Sequence, residues 1–137
     1  SLGDALVRTG ATDWFATLLS PMVTGLPFFI SLMLLVFASA LLTNLINNTT
    51  IAALFVPILI TIAKADPNFN AIQLVLPVAL ATTFGYSLPS ASGRMALIAA
   101  SGIVTRNEMM RYGFIMTIAS SFVLGLYFYI LTLLRWI

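Results

Sequence analysis

Amide and hydroxyl side chains carry most of the chemical capacity of this sequence. Eight residues, 43–50, include three Asn and three Thr and separate two apolar stretches. A helix that ends here offers free carbonyl groups to a hard cation such as sodium, whereas a helix that begins here offers free amides and a positive dipole end to an anion. The pattern therefore favours an anionic group at Asn48 and Thr49, with a cation close by.

A second polar cluster, 87–94, brings Pro, Gly, three Ser and Arg94 into another apolar stretch. An unpaired cation inside a membrane helix is costly and usually functional. Arg94 could therefore pair through its planar fork with a carboxylate, phosphate or sulfate group of a substrate. The alternatives are that it reaches an interface, or pairs with a backbone carbonyl or with an acid outside this sequence.

Several chemistries are excluded by what the sequence lacks. It has no His and no Cys, so it offers neither a thiol nucleophile nor the base of a Ser-His pair, and we do not expect an enzyme. Every Asp and Glu lies in a terminal segment or a predicted loop, which favours a monovalent cation, sodium, over proton coupling. A net charge of +2 gives no reason to expect a nucleic-acid partner.

The composition places the chain in a lipid bilayer. Of the 137 residues, 61% are apolar and 7% are charged, and the mean hydropathy is +1.08. So few charges cannot cover a water-soluble body of this size. We therefore expect an integral membrane protein in contact with membrane lipids, in the plasma (inner) membrane. Because the sequence opens with Ser1 and shows no signal-peptide pattern, we also expect a piece of a longer polypeptide.

The hydropathy pattern predicts an all-α membrane protein. The apolar stretch 51–63 has 13 residues and would span about 20 Å as a helix, less than the roughly 30 Å hydrocarbon core. With a polar cluster at its start, this length favours a re-entrant hairpin, and the alternative is two ordinary spans joined by a polar loop. The predicted segments are an interfacial amphipathic segment (1–21), a re-entrant helical hairpin (22–63), a loop (64–71), one discontinuous transmembrane helix (72–104), a loop (105–113) and a C-terminal transmembrane helix (114–137).

Both polar clusters resemble signature segments of the divalent anion/sodium symporter family. The family's hairpin segment reads Thr-Glu-Phe-Thr-Ser-Asn-Thr, and residues 43–49 read Thr-Asn-Leu-Ile-Asn-Asn-Thr, with Asn44 in the Glu position and Asn47 in the Ser position. Residues 77–81 and 88–96 are similar to the family's Pro-Ala-Ala-Leu-Ala and Leu-Pro-Val-Ala-Thr-Pro-Pro-Asn-Ala segments. The resemblance extends over the whole chain.

The resemblance implies one inverted repeat of a sodium-coupled, elevator-type carrier, usually a homodimer, whose other repeat lies in a missing N-terminal half. It implies a small anionic substrate such as a dicarboxylate. The sodium site that it implies consists of the Asn48 side chain and the carbonyl groups of Thr43, Ile46 and Ala91. The candidate substrate-binding residues are Asn47, Asn48, Thr49, Ser92 and Arg94.

Other functions stay open at this point. Gly93 and Arg94 stand where the family has two prolines, which leaves the identity of the substrate undecided. An arsenite or antimonite permease and a cation/proton antiporter of the same ion transporter superfamily are alternatives. A further alternative, from a different class, is a non-transporting membrane structural subunit whose polar clusters only join helices.

Overall fold

The computed structural model describes residues 8–10, 14, 17, 21, 23, 25–67 and 69–136. Within these residues every regular secondary-structure element is a helix, which confirms the predicted all-α class. The predicted interfacial segment 1–21 lies almost wholly outside the described residues. The helices are α1 (Phe28–Leu45), α2 (Asn48–Ala65), α3 (Ala71–Ala81), α4 (Gly93–Ala100) and α5 (Arg106–Leu133), with a 3-10 turn at Pro89–Ala91.

Three of these helices, α1, α2 and α5, are long and apolar enough to cross a membrane. With 18 residues each, α1 and α2 extend about 27 Å, and α5, with 28 residues, extends about 42 Å. These lengths are comparable with the hydrocarbon core of a bilayer or exceed it. The chain is therefore an integral membrane protein by both length and composition of its helices.

Only Ile46 and Asn47 separate α1 from α2. Asn47 is the N-cap of α2, since its side-chain oxygen accepts a hydrogen bond from the amide of Thr49 at 2.8 Å. This cap starts the helix three residues before the apolar stretch, so α2 is longer than the 13 residues on which the re-entrant interpretation depended. Helix length therefore no longer distinguishes a re-entrant hairpin from two full spans, and the hairpin stays a prediction.

α1 lies at the centre of the bundle and packs against both α3 and α5, while α2 packs mainly against α3. The core between these helices is aliphatic, because each helix turns its branched apolar side chains inward and excludes water from them. Its fully buried members include Leu32, Leu35, Val36, Ile58, Leu59, Ile62, Leu74 and Val78.

Residues 82–92, which contain the 3-10 turn but no α-helix, separate α3 from α4 and are called the break below. α3 ends at Ala81, because the hydroxyls of Thr82 and Thr83 turn back to the carbonyls of Ala79 and Leu80, both at 2.7 Å. That α3 and α4 form a single interrupted membrane crossing stays a prediction.

α5 begins earlier than the sequence pattern suggested. Thr105 and Glu108 form a capping box, in which the Glu108 carboxylate accepts from the Thr105 amide at 2.9 Å and the Thr105 hydroxyl accepts from the Glu108 amide at 3.3 Å. Residues 106–113, predicted as part of a loop, are therefore the first turns of α5. This prediction was wrong, because the capping box provides hydrogen-bond partners at the start of a helix that begins at Arg106.

Candidate functional site

Residues from three elements meet around Gly85, within the break. A Cβ atom built on Gly85 would lie 2.9 Å from Ala91 Cβ, 3.1 Å from the carbonyl oxygen of Thr43 and 3.6 Å from Asn48 Oδ1. A side chain at this position would therefore clash, so glycine allows the break to approach the other two elements closely. The end of α1, the start of α2 and the break thus meet at Gly85, and the Thr43 carbonyl oxygen and Asn48 Oδ1 lie at this contact.

Three carbonyl groups, one each in α1, in the link to α2 and in the break, lack hydrogen-bond donors within the described residues. The last amide that returns to α1, that of Ile46, bonds to the Leu42 carbonyl at 2.9 Å, so the following carbonyls are orphans. Among residues 25–67 and 69–136, no hydrogen bond reaches the carbonyl oxygens of Thr43, Ile46 or Ala91. Uncharged carbonyl and amide oxygens suit a hard monovalent cation. The donor set present here therefore fits such an ion.

The hydroxyl of Thr43 lies between two oxygen acceptors. Its Oγ1 is 2.6 Å from Asn48 Oδ1 and 2.7 Å from the carbonyl oxygen of Thr82. A hydroxyl carries one hydrogen, so it can donate to only one of these oxygens at a time. Thr82 is 4% exposed, so its carbonyl oxygen is short of a donor whenever the hydroxyl turns to Asn48. A cation beside Asn48 Oδ1 would give the amide oxygen a positive partner and leave the hydroxyl to Thr82.

Side chains of α1 and α5 satisfy polar backbone groups of the break. Asn44 Oδ1 accepts from the amide of Ser87 at 2.8 Å, and the hydroxyl of Thr117 donates to the carbonyl of Phe84 at 3.0 Å. Irregular backbone within a membrane protein persists only where protein or an aqueous cavity satisfies its polar groups. These bonds hold the break in a fixed position beside the end of α1.

Two predicted binding residues, Asn47 and Thr49, are engaged in the N-cap of α2. The Asn47 side chain accepts from the Thr49 amide, and the Asn47 carbonyl accepts from the amides of Thr50 and Ile51 at 3.0 and 3.1 Å. The start of α2 therefore has fewer free amides for an anion than the sequence suggested. Both side chains are exposed, so their remaining polar atoms stay accessible.

Ser92 and Arg94 lie where the break ends and α4 begins. Ser92 caps this helix, because its hydroxyl accepts from the amide of Met95 at 3.4 Å. Arg94 is exposed and makes no hydrogen bond or ion pair with the described part of the chain. No residue of α4 is buried, so this helix has little contact with the rest of the bundle. The structure thus leaves the Arg94 guanidinium available to a ligand.

Sequence reasoning missed three residues of this site, namely Gly85, Thr117 and the side chain of Asn44. Each acts through a contact with a residue distant in the chain, and no local pattern marks such a contact. Thr117 does belong to a visible series, since Gly113, Thr117, Ser121 and Gly125 recur every four residues and form a buried face of α5. Such small-residue faces indicate close helix packing.

Apolar helices joined by polar, partly unwound segments are features of secondary transporters. Comparison with known families agrees, because the family described as "Sodium:sulfate symporter transmembrane region" matches residues 1–136. The chain belongs to this family, which is one of membrane transporters and not of enzymes.

Curated relatives point the same way. An uncharacterized transporter of Methanocaldococcus jannaschii is 31% identical over 92% of this chain and 28% of its own length. A sodium-dependent dicarboxylate transporter of Staphylococcus saprophyticus is 28% identical over 96% of this chain and 25% of its own length. The human solute carrier family 13 member 2 is 30% identical over 87% of this chain and 20% of its own length. The chain thus spans about a quarter of the length of these relatives.

The family is one of sodium symporters, so sodium is its co-transported ion. An ion that crosses the membrane with the substrate is cargo, so sodium is not a cofactor in this family. The family also transports small anions together with sodium, which agrees with the anionic substrate expected from the sequence.

Proposed function

We propose that this chain forms part of a sodium-coupled carrier for small divalent anions such as dicarboxylates. The observation that carries the proposal is that the Thr43 carbonyl oxygen, which receives no hydrogen bond within the described residues, and Asn48 Oδ1 both lie beside Gly85, next to the start of α2. A site of this kind binds a monovalent cation without a buried carboxylate. The nearby residues with donor groups are then available to the anion.

The proposed sodium ligands are the Asn48 side chain and the carbonyl oxygens of Thr43, Ile46 and Ala91. Two of these oxygens, those of Thr43 and Asn48, lie 3.1 and 3.6 Å from the Cβ position built on Gly85. Within the described residues, no three His, Cys, Asp or Glu side chains lie close enough together to hold a metal ion. A site without carboxylates holds a singly charged ion at a lower desolvation cost than a divalent one, which supports sodium.

The proposed anion site lies on the other side of Asn48. While Asn48 Oδ1 lies near Thr43 and the cation space, its Nδ2 group makes no hydrogen bond to the described residues and can donate to an anion. Ser92 and Arg94, at the start of α4, supply a hydroxyl and a guanidinium, and a guanidinium binds a carboxylate in a bidentate manner. Asn47 and Thr49 complete the proposed set with their exposed polar atoms.

The wider architecture of the carrier also belongs to this proposal. We propose that α1 and α2 form a re-entrant hairpin, that α3 and α4 form one interrupted helix, and that the carrier is a homodimer that moves its site by an elevator mechanism. The short link between α1 and α2 and the unwound break support a binding site at membrane depth.

Uptake into proteoliposomes tests the proposed function. The full-length native protein is reconstituted and supplied with succinate, citrate, sulfate or phosphate, with a sodium gradient or with a matched choline gradient. We expect uptake of at least one divalent anion that depends on the sodium gradient. Uptake that ignores sodium and follows a pH gradient would contradict the sodium coupling and favour an antiporter or proton-coupled carrier. Sodium-dependent uptake of sulfate alone would contradict the dicarboxylate part.

A further inference from the structure

The Thr43 hydroxyl, on α1, can donate its hydrogen either to the proposed cation site or to the break. It lies within 2.6 Å of Asn48 Oδ1 and 2.7 Å of the Thr82 carbonyl. No other hydrogen bond reaches the Thr82 carbonyl within the described part of the chain. The Thr82 residue is 4% exposed, so water is a poor substitute. The two oxygens therefore compete for one hydrogen.

We propose that this hydroxyl couples cation binding to the hydrogen bond that joins α1 to the break, the bond from Thr43 to the Thr82 carbonyl. This inference rests on the proposed function. With a cation against Asn48 Oδ1, the amide oxygen no longer needs the hydroxyl, and Thr43 donates to the Thr82 carbonyl. Without the cation, the hydroxyl turns to Asn48 Oδ1, and the Thr82 carbonyl loses its donor. Rotation about one side-chain bond is the only movement that the exchange requires.

The exchange matters because a buried carbonyl without a donor is costly, so the break is held less firmly when the site is empty. The break carries Gly85 and Ala91 and ends at Ser92, which is proposed to face the anion. Sodium would therefore fix the anion site in place, and by thermodynamic reciprocity the anion would strengthen the binding of sodium. The pathway is a single contiguous set of contacts from Asn48 through Thr43 to Thr82.

Two variants of Thr43 and one control test the inference. Thr43→Val has the same shape without the hydroxyl, and Thr43→Ser keeps the hydroxyl. Ser39→Ala is the matched control, because the Ser39 hydroxyl also donates from α1 to a backbone carbonyl, that of Val78 at 3.1 Å, but one turn away from the site. All are made in the full-length native protein.

The first measurement is the affinity for the transported anion at low and at saturating sodium. We expect the ratio of the two affinities to fall about fivefold in Thr43→Val, the equivalent of one net hydrogen bond. Thr43→Ser should keep the wild-type ratio. Ser39→Ala should lower thermal stability while it leaves the ratio unchanged. A wild-type ratio in Thr43→Val, or the same loss in Thr43→Ser, would overturn the inference.

The second measurement needs only the wild-type protein and so does not depend on how a variant folds. Backbone hydrogen exchange of residues 82–88 is followed in sodium and in choline. We expect sodium to slow exchange in this segment. If sodium binds and drives uptake but leaves this exchange unchanged, the coupling is wrong while the proposed function stands. If sodium neither binds nor drives uptake, both are wrong.

Discussion

At the scale of single residues, the candidate site depends on oxygen atoms that lack a hydrogen-bond donor. Within the described residues the carbonyls of Thr43, Ile46 and Ala91 receive no hydrogen bond, and Asn48 Oδ1 shares one hydroxyl hydrogen with the Thr82 carbonyl. Buried oxygens such as that of Thr43 are normally paired in a protein interior. The approach of the Thr43 carbonyl oxygen and Asn48 Oδ1 to the same place beside Gly85 is the physical reason to propose a cation there.

Gly85→Ala tests whether the close approach of the break to these oxygens is needed. The added methyl group would lie 2.9 Å from Ala91 Cβ and 3.1 Å from the Thr43 carbonyl oxygen, so it would push the break away from a proposed sodium ligand. We expect the half-saturating sodium concentration for uptake to rise at least tenfold, about the effect of losing one good ligand. Gly93→Ala is the control, because a Cβ there meets nothing within 4 Å. An unchanged sodium dependence in Gly85→Ala would show that the ion lies elsewhere.

Arg94→Gln tests the direct charge pair with the anion. The guanidinium is exposed and unpaired within the described residues, and a charge-assisted bond of this kind is worth about tenfold to a hundredfold in affinity. We therefore expect a rise of that size in the half-saturating anion concentration, with sodium dependence retained. Arg106→Gln, in the first turn of α5, is the control. If affinity for every anion is retained in Arg94→Gln, this residue does not bind the substrate.

At the scale of elements, the sequence predicted helix identity well and helix limits poorly. α2 starts early because Asn47 caps it, and α5 starts early because Thr105 and Glu108 form a capping box. The Thr-x-x-Glu spacing at 105–108 is a recognisable start signal, but the charges of that stretch favoured a loop. Asn47 shows the same problem, since an N-cap asparagine and a ligand asparagine look alike in sequence.

Close approach of α5 to the break depends on a glycine. A Cβ on Gly113 would meet the backbone of Tyr86 and Ser87, the latter Cα at 2.6 Å, and backbone cannot move aside cheaply. We expect Gly113→Ala to lower the free energy of unfolding by about 2 kcal/mol or more, measured as a fall in melting temperature in detergent.

Gly125→Ala, on the same face of α5, is the matched comparison. Its Cβ would meet only the flexible side chain of Met33, with Sδ at 2.5 Å, and alanine favours the helix by about 1 kcal/mol. We expect a change within about 1 kcal/mol in either direction. Equal destabilisation by both substitutions would show that the contact between Gly113 and the break is not special.

At the scale of the whole molecule, class and family were within reach of the sequence and the full site was not. Composition alone excluded a soluble domain, and the polar clusters at 43–50 and 87–94 led to the correct transporter family. The meeting of Gly85 with Thr43, Asn48 and Ala91 required the fold, because these residues come from three separate elements. The chain also spans only about a quarter of its relatives, so the groups that those relatives hold beyond the matched segment are not visible in it.

The most direct test of the central claim is the sodium dependence of anion binding in Asn48→Ala. In our proposal, Asn48 Oδ1 and the carbonyl oxygens of Thr43, Ile46 and Ala91 bind the co-transported sodium. In the full-length native protein, binding of the transported anion is measured as sodium replaces choline at constant ionic strength. We expect sodium to strengthen binding in the wild type and to have no effect in Asn48→Ala. An Asn48→Ala protein that binds the anion with unaltered sodium dependence would contradict it.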